Sequence, residues 1–113
     1  IMHKTVVDPL RAEVQNATIF TIPTGWAAID LLKMKQDGLL LDSVSLSGPS
    51  ATSLFTDAKG HQGQIIVEAG TLMWMKGIYR EDLGTNSYST GFTTDLHALA
   101  DQIMNAHDPL YNQ

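Results

Sequence analysis

Two side chains near the middle of the chain have the types and neighbours that acid–base chemistry uses. His61 sits in Lys59-Gly60-His61-Gln62-Gly63, where flanking glycines let the backbone approach a ligand closely. Glu68 stands between apolar neighbours in Ile66-Val67-Glu68-Ala69, a setting in which a carboxylate can have a raised pKa and act as a general base. Trp26, Trp74 and Tyr79 are the large rings that could wall an apolar pocket around either group. These five residues are the candidate ligand site. The plainer reading is an exposed turn for His61 and a solvent-facing carboxylate for Glu68, and the sequence favours it.

The remaining chemistry is sparser. His97 and Asp101 lie four apart on one helical face and would supply half of a metal site. No further ligand stands at a diagnostic spacing, so they read as a surface pair, and no metal or cofactor is expected. His107 continues an apolar stripe to a helix end, which suggests a structural role, and His3 belongs to the terminus. Cysteine is absent, which excludes disulfides and thiolate sites. Ser47-Gly48-Pro49-Ser50 lacks the form of a nucleophile elbow. No set of nucleophile, base and orienting group emerges, and the balance leans away from an enzyme.

Seven basic against twelve acidic residues give a net charge of −5. With the cations scattered, a phosphate backbone finds no stripe to follow, so direct nucleic-acid binding is disfavoured. An acidic domain can instead bind a basic protein or mimic a nucleic acid. No run is long and apolar enough for a membrane span or a leader, and a cytoplasmic location is the expectation. Met2 reads as the natural start, with Ile1 a leftover residue ahead of it.

An apolar content of 43% in 113 residues describes a single folded domain over 1–113. Within it, Asp8-Pro9 opens a short helix over 9–16, and Thr18–Ile22 has strand composition. Thr24 precedes a helix over 25–36, and Leu39–Leu46 and Ser53–Thr56 read as strands. Gly63–Tyr79 reads as a β-hairpin turning at Ala69-Gly70. That register places Ile65, Val67, Leu72 and Trp74 on an inner face, and Ile66, Met73 and Met75 on a half-covered outer one. Residues 81–91 form a polar loop suited to binding or movement. Thr93 or Thr94 caps a final helix carrying Leu96, Leu99, Ala100, Ile103 and His107, and 110–113 form a loose tail. The order implies an α+β fold: a mainly antiparallel sheet of about four to five strands with helices on one face.

Five methionines and two tryptophans exceed the needs of a small core, and methionine adapts to irregular contacts. Ile66, Met73 and Met75 are therefore the candidate interface. The leading expectation is a small acidic interaction or regulatory module, homodimeric through that face, with a protein partner. The first alternative is a small-molecule pocket or a lyase/isomerase-type enzyme using Glu68 or His61. The second is an acidic mimic of nucleic acid.

Overall fold

The computed structural model describes residues 1–112. In chain order, a π-helical turn at His3–Val7 runs into α1 (Asp8–Glu13). Next come α2 (Gly25–Gln36), the short strands β1 (Ser45–Ser47) and β2 (Ser53–Phe55), α3 (Gln64–Tyr79) and α4 (Leu96–Ala106). The expected antiparallel sheet of four to five strands is not formed. The described residues hold four α-helices and one sheet of two parallel strands.

The decisive correction lies in 63–79, which is a helix rather than a hairpin. Ile65, Ile66, Ala69, Leu72, Met73 and Gly77 are buried, and these positions recur with the period of a helix. A hairpin would have joined Val67 and Trp74 to Ile65 and Leu72 on the inner face. Instead Val67 and Trp74 are exposed. Ala69-Gly70 does not turn, and Gly70 lacks the positive φ a two-residue hairpin loop demands. Glutamine, glutamate, alanine, leucine, methionine and lysine in this run are good helix formers, so the chain satisfies its own backbone without a partner strand.

Close backbone packing fixes the position of α3. Gly63 donates its N–H to the Leu54 carbonyl at 2.6 Å. A Cβ on Gly63 would lie 1.8 Å from the Ser53 carbonyl oxygen, so no other residue fits without moving β2. At the far end, a Cβ on Gly77 would lie 3.0 Å from the Ile22 side chain. Arg80 stops the helix in the left-handed conformation, with φ of 59°, and its N–H returns to the Lys76 carbonyl at 3.2 Å.

The other expected strands are mostly irregular. Residues 18–22 form no strand; Thr21 donates its N–H to the Tyr111 carbonyl at 3.0 Å. Of 39–46, only Ser45 and Leu46 belong to β1, which extends to Ser47. β1 and β2 pair in parallel, Ser45 with Ser53 and Ser47 with Phe55. A connection this short rarely joins parallel strands. Here the 3₁₀ turn at Ser50–Thr52 coils the chain back to the same side.

α4 begins at Asp95, whose carboxylate accepts the Ala98 N–H at 2.9 Å. Thr94 does not cap it; its hydroxyl accepts the Leu41 N–H at 3.1 Å. Asp42 accepts the N–H groups of Thr93 and Thr94, each at 2.8 Å, and so ties the entry to α4 onto 39–44. Lys76 on α3 reaches Asp101 and Asn105 on α4. The core lies where α2, α4 and β2 meet α3, and includes Leu31, Leu54, Ile65, Leu72, Met73 and Leu96. Each such side chain contributes roughly 1.5–3 kcal/mol by leaving water. The tail is not loose at Tyr111, which is buried, stacked on the His3 ring at 3.7 Å and hydrogen-bonded to Asp8 at 3.1 Å. Gln113 lies outside the described residues.

Candidate functional site

A groove runs between the start of α2 and the end of α4. Pro23, Trp26, Asp30, Gln102, Ile103, Ala106, His107 and Asp108 enclose a volume of about 380 Å³. Trp26 and Asp30 come from successive turns of α2, and the last turn of α4 supplies the opposite wall. The Trp26 indole is 55% exposed, although its helix buries Ala27 and Leu31 completely. A side chain with so much apolar area ordinarily lies inside or against a partner.

His107 links this groove to a second cluster. The Thr21 hydroxyl lies 2.9 Å from His107 Nε2 and 2.9 Å from His3 Nε2. With a single proton, the hydroxyl donates to one ring and accepts from the other. Burial lowers the His107 pKa below 6.5, the charge of His3 lowers it further, and Asp108 partly opposes both. Arg11 donates to the Ile19 carbonyl at 2.8 and 2.6 Å and to the Leu110 carbonyl at 2.7 Å. It also lies over the Tyr111 ring, 5.2 Å from its centre. These contacts hold the N-terminal helix, which buries only Val7.

The five candidate ligand residues are not brought together. Trp26 lines the groove; His61, Glu68, Trp74 and Tyr79 do not. His61 Nδ1 is bonded to Asp57 in an exposed turn, where the imidazole holds the Asp57 carboxyl below its usual 3.8. Glu68 accepts from Gln64 at 2.7 Å and from the Tyr88 hydroxyl at 2.8 Å, fastening the 81–91 loop to α3. That bond raises the Tyr88 pKa.

The candidate interface residues fare differently from one another. With the sheet face gone, Ile66 and Met73 are buried in the core and Met75 is half-buried. The apolar face that α3 turns outward carries Val67, Thr71, Trp74 and Ile78 instead, spaced i, i+4, i+7, i+11. Val67 is 42%, Trp74 53% and Ile78 36% exposed. Sequence reasoning missed this face because it assigned Val67 and Trp74 to a core. It missed Asp30 and Asp108 as groove residues because only the fold sets them across from one another. The spacing of four between Trp26 and Asp30 was the available signal.

Among the described residues, no group of three or more histidines and carboxylates could hold a metal ion, and no helix is long and apolar enough to cross a membrane. Comparison with protein-family models, curated proteins and solved structures gives no match.

Proposed function

We propose that this chain is a small acidic interaction module that self-associates through the outer face of α3. The carrying observation is the two-sidedness of that helix: rich in apolar residues, it is buried on one side and leaves Val67, Trp74 and Ile78 bare on another. A helix of this composition is normally covered on both sides. The accessible surface supports the same reading. It measures 7094 Å², against about 6,100 Å² expected for a folded monomer of this mass. The surplus of roughly 1,000 Å² follows from the flat shape of the chain and includes the exposed apolar residues of α3.

A second copy suits the face geometrically. In an antiparallel pair, the Trp74 ring of one helix can settle over Gly70 and Val67 of the other, where the missing side chain leaves room. Trp74→Glu should leave the fold intact, because the ring is half exposed, and should abolish the dimer in sedimentation velocity. A Trp74→Glu chain that dimerises like the original would sink this reading. No observation favours the enzyme alternative: Glu68 and His61 are engaged by different partners, and neither lines the groove.

A further inference from the structure

We propose that the groove between α2 and α4 binds an arginine or lysine side chain presented by a basic peptide segment, with the Trp26 indole against the cation and Asp30 and Asp108 balancing its charge. This deepens the interaction reading by naming a partner chemistry, but it is separate from the α3 face, so either can fail alone.

Three features converge. The indole stands half exposed on the groove wall, and tryptophan is the strongest aromatic partner for a cation. The titratable residues lining the groove are Asp30, His107 and Asp108, with no lysine or arginine among them. Burial, with the charge of His3 behind it, lowers the His107 pKa and so favours its neutral ring, which leaves the two carboxylates as the charged groups of the lining. Finally, Pro23, Ile103 and Ala106 offer apolar contact to the methylenes of a long cationic side chain, while the Gln102 amide can hydrogen-bond its head.

The competing occupants fit less well. An anion would meet two carboxylates. An uncharged apolar ligand would strip water from them without compensation. Asp30, His107 and Asp108 do not form a group that could hold a metal ion, and no such group occurs among the described residues. The chain's net charge of −5 also draws a basic segment toward the molecule from a distance.

The test is fluorescence titration of the full chain carrying Trp74→Phe, which leaves Trp26 as the sole indole, with a tetra-arginine peptide at low salt. Saturable change in Trp26 emission is expected, weakened on the order of tenfold by Asp30→Asn and by Asp108→Asn. Asp37→Asn, which removes an equal charge at the far end of α2, should leave affinity within about twofold. A tetra-glutamate peptide should have no effect. Non-saturating titration overturns the proposal, as does equal weakening by Asp37→Asn and Asp30→Asn, which would mean diffuse attraction only. Asp108 also accepts the Leu110 N–H at 3.0 Å. If Asp108→Asn disturbs the tail, Asp30→Asn against Asp37→Asn decides the matter. Loss of self-association in Trp74→Phe would leave this readout unaffected.

Discussion

Gly63 and Asp42 show how single residues hold this fold through the backbone rather than through buried area. Gly63 has no room for a Cβ, because the Ser53 carbonyl occupies that space. Gly63→Ala must push β2 away from the start of α3 and should destabilise the chain by about 2–4 kcal/mol in urea unfolding. A smaller loss than Gly70→Ala, where the nearest atom is a Thr24 methyl at 3.9 Å, would contradict this packing. Asp42 accepts two backbone N–H groups at the entry to α4, and Asp42→Ala should cost about 1–3 kcal/mol. Burial alone would raise the Asp42 pKa, but the bonds from Thr94 and Thr93 outweigh it and leave the carboxyl below 3.8. A depressed carboxyl binds its proton less readily in the folded chain than in the unfolded one. Its stabilising share is therefore complete above about pH 4 and lost as the pH falls through the depressed value. Asp42→Asn, which keeps an acceptor but no charge, should flatten that acid limb; an unchanged acid profile would assign the loss elsewhere.

The elements differ in how openly the sequence declares them. α4 is legible because Leu96, Leu99, Ala100 and Ile103 keep to one side, although its cap is Asp95 rather than the expected Thr93 or Thr94, and α2 is legible because Gly38 marks its stop. α3 is not, because a run with so many apolar residues fits a period of two as readily as one of 3.6. What could have settled it is the absence of a true turn pair: Ala69-Gly70 is not Asn-Gly or Asp-Gly, and the helix formers Gln64, Glu68, Leu72, Met73, Met75 and Lys76 stand on either side of it. The groove was half legible, since Trp26 stood out but its carboxylates did not. The N-terminal helix was legible at Asp8-Pro9, yet nothing local shows that His3, Thr21 and His107 hold it. That attachment should depend on pH. Neutral rings share the Thr21 hydroxyl, whereas two imidazolium rings with centres 5.5 Å apart repel. Asp8 and Asp108 face them as anions, and Arg11 adds a further positive charge. Because docking lowers the His107 pKa, attachment is full above about pH 6.5 and weakens as the pH falls below it. Hydrogen-exchange protection of residues 2–13 should drop about tenfold between roughly pH 7.5 and pH 5, with α3 unchanged. His107→Gln should remove the pH dependence; the same drop in that variant would rule out the histidine origin.

The whole molecule is flat, with extents of 46 × 34 × 21 Å. Its radius of gyration of 15.4 Å exceeds the roughly 13 Å of a compact domain of this length. The surplus surface is apolar in several places: Trp26 and Ile29 on α2, Leu39 and Leu41 in the following loop, and Val67, Trp74 and Ile78 on α3. Exposed apolar area of this extent is what association would cover, and on α3 it forms one stripe of Val67, Trp74 and Ile78. Self-association there would leave the Trp26 groove at the junction of α2 and α4 free for a basic segment. The most direct measurement is the solution mass of the unmodified chain by sedimentation equilibrium, from micromolar to sub-millimolar concentration. The mass should rise with concentration toward twice 12.3 kDa, and Trp74→Glu should hold it at the monomer value. A mass fixed at 12.3 kDa across that range would contradict self-association through α3.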